Sequence, residues 1–323
     1  MRDTEFAYGV AHIRAHELSL LTNDNLESMI SASNLNEAIR VLGDKGWNAE
    51  SEDFSSMLLE ESEKNWNLLC ECLLEEHLLD CLIIENDFHN LKTAIKTVFT
   101  GEDPQRYFVF PCVYDTQKIK EAIEKKDFSS LPECMAETAQ KAYDVLTRLG
   151  SGQMADIIID KQTMAVKLQM AEKSDSALLK NAVAMNVAAA NIKIALRCIK
   201  TGKSIDFMKK AMSDECPIID IETLQKKALK GEDAVTSYLE GIKEFSQAAS
   251  FLKESSTLFE KCLDDAIMEK VKDAKYTAFG VEPIFAYYMA REAEIKNVRV
   301  ILSLKRNGIS SEEIRKRVRE AYV

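Results

Sequence analysis

At 323 residues and a formal net charge of −11, the chain is long enough for two or three domains with cores of their own, and too acidic for a nucleic-acid binder, which presents a basic face. Only 5 Pro and 11 Gly stand against abundant Ala, Leu, Lys and Glu, a composition that predicts a nearly all-helical, all-α protein. No run approaches eighteen apolar residues, residues 1–5 make no signal peptide, and the eight cysteines lack the spacing of a disulfide framework, so a soluble intracellular chain without a membrane span is expected.

In chain order, residues 6–21 carry a mostly apolar helical pattern that ends at the turn-like Thr22-Asn-Asp-Asn25. A short helix follows over 26–31, and Ser33-Asn-Leu-Asn-Glu37 opens another that Gly43-Asp-Lys-Gly46 breaks. From Asp53 one long helix is expected to about Cys81, then a second over 84–99. A loop with Pro104 and Pro111 comes next, and Asp115-Thr-Gln-Lys-Ile119 opens a second unit. Gly150-Ser-Gly152 interrupts a helix pair; two more helices are expected over 154–170 and 178–200. After Cys216-Pro217 a third unit runs from Asp220 through helices containing Tyr238, Phe251 and Leu263. It ends in a long helix framed by Pro283, suited to a first helical turn, and Gly308, suited to the left-handed residue that closes one. Ser310-Ser-Glu-Glu313 reads as a capping box for a last short helix.

The chain writes one pattern three times. Asn90-Leu-Lys92 leads to Gly101, Asn191-Ile-Lys193 to Gly202 and Asn297-Val-Arg299 to Gly308, with 11 residues from Asn to Gly in each copy. Near-equal spacing of the copies predicts an internal threefold repeat with units 1–105, 106–208 and 209–323. Leu91, Ile95 and Val98 form the core stripe of copy one; Ile192, Leu196 and Ile199 form that of copy two. At 3.6 residues per turn the Asn and the base lie on opposite shoulders of that stripe. Ala94 and Ala195, one turn beyond the Asn, let a neighbouring helix approach and meet the amide, which predicts a structural packing role; copy three has Ile301 there, so its contact is expected to differ. An acid precedes the Asn by three residues in copies one and three (Asp87, Glu294), whereas copy two has Ala188. The openings of the units, Asn25, Asp115 and Asp220, each place a capping residue four positions before an apolar one.

Chemistry is thinly supplied. Lys200-Thr-Gly-Lys-Ser204 resembles the end of a phosphate-binding loop, but Arg197 stands where that loop needs Gly and a helix precedes it, so a helix C-cap is expected. His12 and His16 have the one-turn spacing of a zinc pair without the intervening Glu of a metalloprotease. Cys70, His77 and Cys81 share a face of the expected long helix but spread over three turns, and the cysteines read as buried small hydrophobes. Asp264, Asp265 and Glu269 are the best enzyme signal, a magnesium–diphosphate site that needs a facing acidic cluster; Asp156 and Asp160 are its thin candidate, and a solvated acidic helix face is the simpler reading. No nucleophile–base pair emerges. No catalytic, cofactor-binding or metal-binding residue is assigned.

The residues Tyr8-Gly9-Val-Ala-His-Ile-Arg14-Ala, the three Asn-aliphatic-base helices, Pro283-Ile-Phe-Ala-Tyr287 leading into Lys296-Asn-Val-Arg299, and the terminal Glu313-Ile-Arg-Lys-Arg-Val-Arg-Glu-Ala-Tyr322 resemble the C subunit of archaeal and bacterial V/A-type rotary ATPases, the equivalent of the d subunit in the eukaryotic vacuolar enzyme. The resemblance covers the whole length and thins over 115–150. It implies three similar helical bundles around a pseudo-threefold axis, funnel-shaped, without catalysis or cofactor. It further implies a cytoplasmic place, peripheral on the membrane, between the proteolipid ring (c/K subunits) and the central shaft of D and F subunits, passing torque for ATP-coupled ion transport. The other classes left open are a soluble helical-repeat scaffold and the magnesium-dependent enzyme.

Overall fold

In the computed structural model, residues 6–49, 53–73 and 77–323 are described, and among them only helices, turns and loops occur. The N-terminal residues 1–5 of the signal-peptide reading lie outside them. The helices are α1 (Ala7–His16), α2 (Asn23–Ser31), α3 (Leu35–Gly43), α4 (Phe54–Cys72), α5 (Ile84–Thr100), α6 (Thr116–Lys125), α7 (Glu133–Leu149), α8 (Gly152–Glu172), α9 (Ala177–Thr201), α10 (Ile205–Ala211), α11 (Ile221–Ala228), α12 (Glu232–Glu240), α13 (Ser246–Ala249), α14 (Ser256–Asp273), α15 (Glu282–Arg306) and α16 (Ser311–Arg315).

Local chemistry sets most of these limits. Thr22, Asn34, Asp53, Asp115, Ser151, Ser176, Ser204, Asp220, Ser255 and Ser310 each accept an N–H of the first helical turn through the side chain, removing an orphan donor. Thr22, rather than Asn25, is the cap of α2; Asn25 sits three residues in and closes a capping box back onto it. Gly101, Gly202 and Gly308 all take φ of 61–74°, the left-handed conformation an L side chain resists. In copies two and three the chain beyond the glycine returns an N–H to the helix: Lys203 to the Cys198 carbonyl and Ile309 to the Leu304 carbonyl, both at 3.0 Å.

Three expectations need correction. The helix begun at Asp53 does not run to Cys81: α4 ends at Cys72, and Cys81 lies in a separate single turn at Asp80–Leu82. The stripe of copy one stops short of Val98, which is 41% exposed, while Leu91 and Ile95 are fully buried. Helix α9 is long and apolar enough to cross a membrane by length and composition, contrary to the run-length reading, yet 61% of its apolar window is buried within the chain. It serves as a core helix.

The helices gather into two compact units, Met1–Glu76 with Lys243–Val323, and His77–Ile242. In each, a long repeat helix packs on the opening helices of the following copy: α5 on α6, α9 on α11, and α15 on α2 and α3. One core therefore joins Leu26, Met29 and Leu42 to Val298, Ile301 and Leu302 from the opposite end of the sequence. Another joins Leu91 and Ile95 to Ile119, Met135 and Ile159. Burying each such aliphatic side chain contributes about 1.5–3 kcal/mol, which outweighs the closure entropy of distant ends. Packing is thus offset from the repeat boundaries read in the sequence.

Candidate functional site

The three repeat asparagines are buried and make nearly the same device. Asn90 donates Nδ2 to the Val109 carbonyl (3.0 Å) and accepts the Val109 N–H at Oδ1 (2.8 Å). Asn297 does the same with Arg319, at 3.0 and 2.8 Å, so, against expectation, Ile301 leaves the contact of copy three unaltered. Asn191 accepts the Ser213 N–H (2.9 Å) and donates to the Ser213 hydroxyl (2.7 Å) and to the Val187 carbonyl. The residue grasped lies 19, 22 and 22 residues downstream, and each is outside a helix. So the amides meet a backbone returning along the helix, not a second helix. A carboxamide, with an N–H donor and a C=O acceptor side by side, can both donate to and accept from one residue's backbone.

The base of each copy points elsewhere. Lys92 on α5 pairs with Asp160 of α8 at 2.5 Å, while Lys193 and Arg299 are exposed on α9 and α15. The acids of copies one and three hold the start of the next bundle. Asp87 accepts the Val113 and Tyr114 N–H groups at 2.9 and 2.8 Å; Glu294 accepts that of Leu21 at 2.7 Å. Burial pushes the Asp87 carboxyl up to about 6, against the pull of those two N–H donors. Glu294 is raised by burial too, opposed first by Arg291, which pairs with both Glu294 and Glu61 and lies over the Trp47 ring at 4.8 Å.

The N-terminal motif is structural as well. Arg14 donates to the Ala274, Lys275 and Thr277 carbonyls at 2.9–3.0 Å, satisfying the C-terminal end of α14. A Cβ at Gly9 would stand 2.4 Å from the Cys72 carbonyl and 2.9 Å from Ile284, so only glycine lets α1 approach α4 and α15 this closely.

The acidic candidate is already neutralised by the chain. Asp264 lies between Lys296 (2.5 Å) and Arg319 (2.9 Å); Asp265 pairs with Lys261 (2.6 Å) and accepts the Glu320 N–H, while Glu269 is exposed. Asp156 and Asp160, in the other unit, pair with Lys96 and Lys92. His12 and His16 meet edge to face at 5.0 Å, with His12 stacked on Tyr8. Cys70 lies on α4 and is exposed, contrary to the buried reading, and Cys81 lies beyond that helix, so no one helix joins them through His77; burial holds the Cys81 thiol up at about 11. Among the described residues no group of three His, Cys, Asp or Glu is placed to hold a metal ion. In Lys200-Thr-Gly-Lys-Ser204, Gly202 ends α9, Ser204 caps α10 and Lys203 lies over the Phe207 ring at 5.0 Å.

What the geometry offers instead is a receptacle. In the unit of residues 77–242 an open groove of 1470 Å³ runs between α8 and the segment 213–222. Met154, Ile157, Ile158 and Leu168 of α8 are half-buried along its floor. Lys141, Lys161 and Lys210 stand on its rim, and Asp214, Glu215, Asp220 and Glu222 line the facing wall. An apolar floor with charged margins suits a protein element bearing an apolar stripe. Periodicity could not show this groove, since its floor and wall come from distant stretches of chain.

Residues 9–317 match the ATP synthase (C/AC39) subunit family. Curated proteins are similar over nearly the full length. The C subunit of the V-type sodium ATPase of Enterococcus hirae is 24% identical, covering 96% of this chain and 97% of that protein. The C subunit of the A-type ATP synthase of Methanocaldococcus jannaschii is 23% identical, covering 96% and 85%. That of Desulfurococcus sp. is 22% identical, covering 97% and 90%.

Proposed function

Because this chain belongs to the ATP synthase (C/AC39) subunit family, we propose that it is a non-catalytic adapter of a V/A-type rotary ATPase, joining the D and F shaft to the proteolipid ring and passing torque between them for ATP-coupled ion transport. The observation that carries the reading is the groove over α8: it is long, open, apolar at its floor and charged at its margins, and is the seat proposed for the foot of the shaft. The three long helices, each ended by a left-handed glycine and grasped through its Asn, are proposed to act as stiff arms. The helix ends beyond Gly101, Gly202 and Gly308 are proposed to meet the ring. The chain works on the cytoplasmic face of the membrane, held there through the complex.

The test is a pull-down with tagged chain from detergent-solubilised membranes, paired with binding of the purified D–F shaft. Wild type recovers shaft and proteolipid. Ile157→Glu, which puts a carboxylate on the groove floor, weakens shaft binding by about tenfold or more and leaves the ring recovered. Unchanged shaft affinity in a folded Ile157→Glu chain would move the seat elsewhere; loss of both partners from the wild-type pull-down would end the adapter reading.

A further inference from the structure

The three returning segments are not fastened alike. In copy one the segment 109–115 is held to α5 at three places, Val109 by Asn90, Pro111 by Asn86, and Val113 with Tyr114 by Asp87. In copy three Asn297 holds Arg319, and Glu294 holds Leu21, the residue before the cap of α2. Copy two has the first fastening, Asn191 on Ser213, but Ala188 stands where the acid would be. The segment 213–220 also meets α9 through the Cys216 thiol, 3.8 Å from the Ala184 carbonyl, a weak donor. Its other ties lead away from α9. Asp214, 84% exposed, pairs with Lys161 across the groove, a bond screened by water, and the Asp220 N–H meets the Tyr238 hydroxyl on α12.

That same segment is the wall of the groove, with Pro217 near its middle. We infer that residues 213–220 are a hinged wall, pinned at Ser213 by Asn191 and at the buried Ile219, and free to flex between them, at the position where copies one and three carry an acid. A segment with few fastenings opens at lower free energy than one with a full set, and it is from such segments that moving elements are drawn. The wall carries Asp214, Glu215 and Asp220 and no base, so swinging inward brings a line of carboxylates against whatever lies on the floor of α8. The occupant it fits is a helix with an apolar stripe and a basic flank. This occupant rests on the proposal that the groove seats the shaft; the hinge does not.

Amide hydrogen exchange on the full chain, alone and with the purified D–F shaft, tests both parts. In the free chain the amides of 215–220 should exchange about tenfold faster than those of 110–115. Asp87→Ala, which removes the acid's fastening and leaves those of Asn90 and Asn86, should bring the amides of Val113 and Tyr114 towards the copy-two rate. Equal protection of the two segments in wild type overturns the hinge, whatever the shaft does. With shaft added, protection gained across 213–222 and weakened by salt supports the basic-flanked occupant. Fast exchange in the free chain with protection gained only elsewhere sinks the groove as the seat and leaves the hinge standing.

Discussion

At the scale of single residues the repeat asparagine is the informative one, because its chemistry cannot be traded. Asp in its place offers no donor to the Arg319 carbonyl, and Leu offers neither group. Asn297→Ala leaves both backbone groups of Arg319, a residue only 7% exposed, without their partner. It should cost about 2–4 kcal/mol, read as a lower urea midpoint with unchanged slope. Asp87 makes a prediction in pH. Its carboxyl is held up at about 6 in the fold and titrates near 4 when unfolded, so between those values the native chain keeps a proton that the unfolded chain has lost. The proton difference is negative, so this group makes stability fall as pH rises from about 4 to 6, by up to about 3 kcal/mol, and have no further effect above. Urea unfolding at pH 4.5 and 7 should show that decline in wild type and lose it in Asp87→Asn.

At the scale of elements, helix ends decide where the chain turns. Gly202 takes φ of 61° with nothing near its missing Cβ, so Gly202→Ala meets only backbone strain and should cost about 1–2 kcal/mol. Gly9 is the reverse case, an α1 residue whose cost would be steric. A methyl group there must push on the Cys72 carbonyl, and Gly9→Ala should lower Tm by loosening α1 from α4 and α15, at a cost of about 1–3 kcal/mol. Arg14→Lys should restore less than half of what Arg14→Ala loses, since an ammonium cannot hold Glu17 through one nitrogen and the α14 carbonyls through another as the guanidinium does. The sequence carries a further signal at this scale, one that becomes plain only beside the structure. Asp103, Ser204 and Ser310, each two residues past a repeat glycine, all accept an N–H in the turn that follows. That extends the repeat from Asn and Gly to a cap.

At the scale of the whole molecule, the unit of residues 1–76 and 243–323 depends on its last residues. Arg319 is held by Asn297 and Asp264, the Ala321 N–H by Asn23, and the Tyr322 hydroxyl meets Glu17. Deleting residues 319–323 should raise amide exchange throughout α2, α3 and α15 and leave α6 to α8 unchanged, since those helices draw on a different core. The all-helical class, the long helices α5, α9 and α15, and their terminal glycines were legible because helical period, capping residues and left-handed glycine are local properties. The break at Cys72 was not, because 53–81 is rich in helix-favouring residues and no Pro or Gly marks the stop.

The sequence by itself determined the family, the helical class and the three asparagines, because repetition and resemblance are properties of residue order alone. Tertiary structure alone decided what those asparagines hold. The hydrogen-bonding reach of an amide names a donor and an acceptor, and which backbone comes to meet them depends on the chain's return from the turn beyond each glycine. It decided also that each long helix packs with the next copy's opening, so that the two ends of the chain share one core. Apolar faces pair with whatever complementary face is nearest in space, and a linear pattern does not record that neighbour.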